Sequence, residues 1–496
     1  MHYISTRDTG LKLKSAEAIK KGLSEDGGLF VPAEIPELTE AEIKKMLNMS
    51  YIERANLVLK KFLTDFTDKE IAQCTNGAYG GSHFSSDKVA PVVKLADGKY
   101  ILELWHGPTC AFKDMALQIL PHFMTTAMKK TGENKKIVIL VATSGDTGKA
   151  ALEGFKDVKG TDIIVFYPGD GVSDIQKLQM ITQEGSNVYV AGIDGNFDDA
   201  QTGVKKIFTD SKLEKEMNDA GYAFSSANSI NWGRLVPQIV YYISAYCDMV
   251  GGGEIKLGEK INVCVPTGNF GNILAAYYAR KMGLPINKFI CASNRNNVLT
   301  DFLKTGEYNK NRPFYQSVSP SMDILVSSNL ERLLFDISGN DAKRVSTLMG
   351  KLKNGGYKLT KALFAKVSDL FWGGCCDDYF TKVQIWKTFT EDGYTLDTHT
   401  AVAVDVYEQY VRDTGDKTKT VIASTASPYK FNQSVLSALG EDVEGKDDFT
   451  LIDILKNKSG MEVPESLAEL KNKEKRFEDI INKDEMPSLV KKVLKI

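Results

Sequence analysis

Three separated stretches of this chain hold residues suited to gripping an anion, and a fourth holds a lysine suited to covalent chemistry. The lysine is Lys113, in Trp105-His-Gly-Pro-Thr-Cys-Ala-Phe-Lys-Asp114. An apolar run, Tyr100-Ile-Leu-Glu-Leu-Trp105, ends at His106-Gly107-Pro108-Thr109, and the pattern turns helical from Cys110. That spacing predicts Lys113 about one turn into a helix. A lysine there either snorkels, with its stem along an apolar face and its ammonium in water, or sits desolvated, where its amine can form a Schiff base. The stretch alone leaves both readings open.

The first anion candidate is Thr267-Gly-Asn-Phe-Gly-Asn272, between the apolar run Ile261-Asn-Val-Cys-Val265 and a helical stretch from Ile273 to Met282. Glycines let the backbone approach a ligand closely, and the free N–H groups of a helix N-terminus suit a phosphate. The second, Thr143-Ser-Gly-Asp-Thr147, offers three hydroxyls and a glycine before a helix, suited to a carboxylate or a phosphate. The third, Ser225-Ser-Ala-Asn-Ser-Ile-Asn231, runs into Gly233-Arg234. By itself it reads as a capping loop, and Arg234 is open to clamping an anion or pairing with a carboxylate.

Several other chemistries are excluded. Gly148-Lys149 does not complete a nucleoside-triphosphate loop, because Thr143 stands where its first glycine belongs and Ala150 where the magnesium-binding hydroxyl belongs. There is no G-x-S-x-G and no H-E-x-x-H. The five histidines (2, 83, 106, 122 and 399) are too dispersed for a metal site, and His399 reads as a hydrogen-bonded structural residue.

Loops of this kind act together only if strands and helices bring them to one place. Ile137–Val141, Asp162–Tyr167, Asn187–Ala191, Ile261–Val265, Phe289–Ser293 and Val421–Thr425 are apolar runs of strand length. Most lead into helical stretches, near 146–155, 175–181, 197–208 and 273–282. Unbroken apolar strands alternating with helices indicate parallel sheets covered on both faces. The expected fold is therefore α/β, with two doubly wound parallel-sheet domains and a cleft between them, preceded by a mainly helical N-terminal region. The expected divisions are 1–95, 96–250 and 251–496, with an insertion around 300–390 and peripheral helices in the last fifty residues.

The composition is that of a soluble globular protein. At 496 residues, 43% hydrophobic, 25% charged and net charge -2, the chain is long enough for two or three domains and lacks the basic excess of a nucleic-acid binder. Seven scattered cysteines without C-x-x-C spacing argue against a disulfide framework or structural zinc. No apolar run approaches the roughly 18 residues of a membrane span, and the N-terminus lacks a secretory h-region. A cytoplasmic location is expected.

Seven segments, in order, carry a resemblance. Gly22-Leu-Ser-Glu-Asp-Gly-Gly-Leu-Phe-Val-Pro32, Trp105–Asp114, Ala142–Gly148, Ser226–Asn231, Pro266–Asn272, Asp397-Thr-His-Thr-Ala-Val402 and Ser424-Thr-Ala-Ser-Pro-Tyr-Lys-Phe431 resemble the threonine synthases. These are pyridoxal-phosphate enzymes of the tryptophan-synthase-β fold type. Cys110, and Ser427 where histidine is common, are small departures. The resemblance implies that Lys113 carries pyridoxal 5′-phosphate as a Schiff base. It also implies that Gly268, Asn269, Phe270, Gly271 and Asn272 hold the cofactor phosphate, that Thr425 bonds the pyridine nitrogen, and that Asp146 lies near the 3′-oxygen. Thr143, Ser144 and Thr147 would bind the carboxylate of O-phospho-L-homoserine, with Ser226, Asn228, Asn231, Arg234 and Lys430 around its phosphate. The implied reaction gives L-threonine and phosphate. A phospholyase giving a 2-oxoacid and ammonia is the alternative. No nucleic-acid, membrane or metal partner is expected, and the assembly is expected to be a monomer or homodimer.

Overall fold

The structure, a computed structural model, describes all 496 residues except Asp97, Ser144, Asp170 and Gly171, and leaves aside the side chains of Phe197 and Asp198. Two sheets organise it. A five-stranded, all-parallel sheet has the order Ile480–Asn482, Val188–Asp194, Thr161–Pro168, Lys136–Ala142, Tyr222–Ser226. A six-stranded sheet has the order Phe371–Cys375, Ile286–Ser293, Ile261–Pro266, Thr420–Ser424, Lys99–Glu103, Val92–Ala96, with Val92–Ala96 antiparallel to its neighbour and the rest parallel.

Side-chain alternation explains why the strands read as continuous apolar runs. In the five-stranded sheet Ile137, Ile139, Val141, Ile163 and Val165 face the large central core, while Val138, Leu140, Ile164 and Phe166 face an outer core closed by Met486, Val490 and Leu494. In the six-stranded sheet Tyr100, Leu102, Val263, Val421 and Ala423 face the same central core, and Ile101, Cys264, Ile290 and Ile422 face a second outer one. A strand of period two with both faces covered has no polar face to show. The helix Trp232–Gly251, buried along nearly its whole length, contributes to the same central core as both sheets.

The N-terminal region is mainly helical, with helices Ser15–Lys21, Glu40–Met46, Tyr51–Phe62 and Asp68–Tyr79. Three of these begin at Thr39, Ser50 and Thr67, each forming a capping box with a glutamate three residues on. A small antiparallel pair, Tyr3–Ser5 with Phe30–Pro32, closes the region.

Sheet membership cuts across the boundaries expected at 95 and 250. Lys99–Glu103 pairs with Thr420–Ser424, not with the strands at 136–226. Ile480–Asn482 returns to the edge of the five-stranded sheet. The stretch 300–390 is not a simple insertion either, since Phe371–Cys375 forms the edge of the six-stranded sheet. Pairing is set by which strands can bury both faces, and crossovers allow distant segments to become neighbours.

Candidate functional site

The loops leaving the C-terminal ends of Lys136–Ala142, Tyr222–Ser226, Ile261–Pro266 and Thr420–Ser424 meet around one cleft of about 780 Å³. Lys113, Thr143, Asp146, Thr147, Ser226, Asn228, Arg234, Thr425 and the whole 267–272 loop line it. Ligands of parallel α/β sheets occupy this end of the strands.

Lys113 is not one turn into a helix. Cys110 takes a left-handed backbone (φ 59), Ala111 bridges to Ala426, and Phe112 N–H donates to the Thr425 carbonyl at 2.8 Å. The helix proper is Asp114–Leu117, and Lys113 is its N-cap. This bridge ties the lysine loop to the Thr425 loop. The Lys113 side chain is 10% exposed, with Nζ 3.5 Å from Asp146 Oδ2, 3.3 Å from Ser321 Oγ and over the Phe112 ring. Burial lowers its pKa below the ordinary lysine value; Asp146 opposes this, while Lys430 and Arg234 reinforce it. A desolvated amine of this kind is more often unprotonated, and so usable as a nucleophile and base.

Asp146 begins the helix Asp146–Phe155. Lys430 Nζ lies 2.6 Å from its Oδ1, which also accepts from Gln176 Nε2 at 2.7 Å. Burial alone would raise its pKa, but Lys430 and Lys113 overcome that and hold the carboxyl well below the usual range. Gly145 before it has φ 135, and a Cβ there would meet the Gln176 carboxamide at 2.6 Å. The Thr143 hydroxyl is used inside its own loop, accepting from Gly145 N–H at 3.0 Å and Gly148 N–H at 2.8 Å. Its side chain shapes the loop, and Thr147 lines the cavity beside it. Ser144 lies outside the described residues.

In the 267–272 loop, Phe270 is left-handed (φ 63) and caps the helix Gly271–Lys281. A helix start leaves its first N–H groups without intrahelical acceptors, and a left-handed residue before it forms an anion-binding concavity. Gly268 is pressed against the Ser321 carbonyl, 2.7 Å from where a Cβ would stand. Asn329 N–H and Nδ2 both donate to the Asn269 carbonyl at 3.0 Å. Asn272 Oδ1 accepts from the Tyr242 hydroxyl, and its Nδ2 is buried without a partner among the described residues.

Opposite, Ser226 Oγ accepts from Asn228 N–H at 3.1 Å. Arg234, 3% exposed, donates from Nη1 to the Ala227 carbonyl. Asn228 Oδ1 and Arg234 Nε are buried with no partner among the described residues. Burial lowers the Arg234 pKa to about 10, and Asp114 opposes that fall.

Two expected substrate residues do not face the cleft. Asn231 is spent on the fold: Nδ2 donates to the Ile19 and Ser226 carbonyls at 3.0 Å and Oδ1 caps the next helix through Gly233 N–H at 2.9 Å. Lys430 lies beneath Asp146, with its side chain fully buried and Nζ donating to the Thr109 carbonyl at 2.9 Å. Conversely, the turn Pro320–Met322 brings Ser321 to Lys113, a role that no local motif marked. Ser321 N–H donates to His399 Nε2 at 3.1 Å, so the ring proton sits on Nδ1, facing Asp397 Oδ1 at 3.1 Å. His399 is hydrogen-bonded as expected, but it lines the cleft.

These residues fit pyridoxal phosphate. The glycine loop and unpartnered Asn272 amide suit its phosphate, Lys113 its aldehyde, and Thr425, buried at the strand end, its ring nitrogen. A neutral hydroxyl there cannot hold that nitrogen protonated as a carboxylate would. Among the described residues no cluster of metal ligands and no helix long and apolar enough to cross a membrane occurs.

Comparison with known proteins identifies the family. Residues 2–79 match the family model of the threonine synthase N terminus, 90–348 that of pyridoxal-phosphate-dependent enzymes, and 400–493 that of the threonine synthase C-terminal region. Threonine synthase of Pseudomonas aeruginosa is 39% identical over 443 residues, covering 88% of this chain and 90% of that protein. Threonine synthase-like 1 of Homo sapiens is 44% identical over 436 residues, 86% of this chain but 58% of that protein, so the chain spans less than two thirds of this relative. The crystal structure of pyridoxal-phosphate-bound threonine synthase from Brucella melitensis shares 36% identity and superposes with a TM-score of 0.87, over 100% of this chain and 99% of that one. With similarity running from the N-terminal helices through both sheets to the C-terminal region, the chain belongs to the threonine synthase family of pyridoxal-phosphate-dependent enzymes.

Proposed function

We propose that the protein converts O-phospho-L-homoserine and water to L-threonine and phosphate. The observation that carries this reading is a desolvated lysine in one cavity with two anion-binding sets, the 267–272 loop and the Asn228–Arg234 group. One set suits the cofactor phosphate and the other a phosphorylated substrate.

When bound, pyridoxal phosphate supplies an electron sink for charge developing on the substrate carbons. Lys113 would hold the cofactor and, as an amine of lowered pKa, would carry protons to and from the substrate Cα and Cβ. Thr147, lining the cleft beside Lys113, binds the substrate carboxylate. Arg234, whose buried Nε has no partner among the described residues, receives the γ-phosphate and stabilises it as it leaves, with Asn228 lining the same part of the cleft. Ser226 holds Asn228 in place. The low exposure of Lys113 and Arg234 strengthens every charge interaction at this end of the cleft.

Incubating the purified protein and pyridoxal phosphate with O-phosphohomoserine, followed by product analysis, tests the reading. Threonine and phosphate in equal amounts are expected. If 2-oxobutyrate and ammonia form as the main products, the protein is a phospholyase instead.

A further inference from the structure

Lys430 was expected at the substrate phosphate, and its actual place calls for another role. It lies in the turn Pro428–Phe431 after the strand Thr420–Ser424, on the six-stranded side of the cleft. Its ammonium crosses to Asp146, which follows the strand Lys136–Ala142 of the five-stranded sheet. A second donation, to the Thr109 carbonyl at 2.9 Å, reaches the loop that leads into Lys113. One buried cation therefore joins three loops from two sheets.

The two oxygens of Asp146 are divided. Oδ1 takes Lys430 at 2.6 Å and Gln176 at 2.7 Å, and Oδ2 faces Lys113 Nζ at 3.5 Å. We infer that Lys430 is a positioning residue, which grips Asp146 by one oxygen so that the other faces Lys113 and thereby sets the charge around the Lys113 amine. The groups facing that amine are Asp146, Lys430 and Arg234, with the Ser321 hydroxyl and the Phe112 ring. Asp114 faces Arg234 and the Thr109 loop. Asp146 favours the ammonium form of Lys113, whereas Lys430 and Arg234 disfavour it. Removing Lys430 and removing Asp146 must then move the Lys113 titration in opposite directions, which loss of packing alone would not do. The inference is independent of the substrate assigned above.

The test uses cofactor-stripped full-length protein, labelled with limiting acetic anhydride across a pH series and read by peptide mass spectrometry. Lys149, buried against Glu153 and Gln183, is the internal control for folding. In Lys430→Met the Lys113 midpoint is expected to rise by about one pH unit, and in Asp146→Asn to fall, with Lys149 protected in both. An unmoved midpoint in Lys430→Met, or shifts of the same sign in both variants, overturns the inference. If Lys149 becomes freely labelled in Lys430→Met, the double variant Lys430→Met/Asp146→Asn decides, since it leaves neither member of that pair charged. A midpoint above that of Asp146→Asn supports the role of the Lys430 charge, and an equal one overturns it.

Discussion

At Lys113 the expected consequence of substitution is optical. Lys113→Ala mixed with pyridoxal phosphate and then gel-filtered should lack the visible absorption band retained by the parent, because the covalent attachment point is gone. An unchanged band would assign the attachment to another lysine. Arg234→Lys should raise KM for the phosphorylated substrate by about tenfold, since an ammonium lacks the planar fork that grips a phosphate through two bonds. Steady-state kinetics check this, and an unaltered KM would place the phosphate elsewhere. Residues of this kind were legible where a short motif surrounds them: Lys113, Gly268, Asn272, Thr425 and Arg234 all line the cleft. Ser321 was not, because its part comes from a turn that folds back from the 300–390 stretch onto Lys113. Lys430 and Asn231 sit in motifs as well marked as the others. A motif shows that a residue belongs to the site region, whereas its side-chain partners decide whether it faces ligand or scaffold.

The element that most constrains the site is the 267–272 loop under the Pro320–Met322 turn. Gly268→Ala would drive a methyl into the Ser321 carbonyl, displacing backbone that has no flexible side chain to yield. Its affinity for pyridoxal phosphate is expected to fall about tenfold or more, measured by cofactor titration of the stripped protein. The helix Asp146–Phe155 is anchored differently, by Glu153. Burial would raise the Glu153 pKa, but Lys149 at 2.9 Å and Gln183 hold it down to about 2. Because the folded-state value lies below the unfolded one, this carboxylate contributes stability above the ordinary carboxyl pKa, and the contribution fades as pH falls toward 2. Glu153→Gln should cost about 2 kcal/mol near pH 7, allowing for a side chain still 28% exposed. Thermal melts should show the gap narrowing below about pH 4. Strands and their following helices were legible, since doubly covered strands are apolar throughout. Strand neighbours were not, because Lys99–Glu103 and Thr420–Ser424 carry no mark of their pairing.

Across the whole molecule, the C-terminal segment completes the five-stranded sheet. Ile480–Asn482 pairs with Val188–Asp194, and the helix Met486–Leu494 closes the outer core, with Met486 packed on Gly203. Met486→Ala is expected to cost about 2–5 kcal/mol, read as a lowered urea midpoint. A midpoint equal to the parent's would mean that the closing helix bears no weight. Two parallel-sheet units and a cleft could be read from strand alternation, but the return of the chain's end to the first sheet could not, because charge-rich helices look peripheral in sequence.

That interleaving bears on how the protein is made. Lys99–Glu103, which leads into the Lys113 loop, finds its parallel partner only in Thr420–Ser424. During synthesis the lysine loop therefore leaves the ribosome long before the strand that fixes it, and long-range parallel pairing is slow to form. The five-stranded core can begin to assemble from 136–226, but the cofactor pocket can close only after residue 425 has emerged. Pyridoxal phosphate should bind late in biogenesis, to a nearly complete chain.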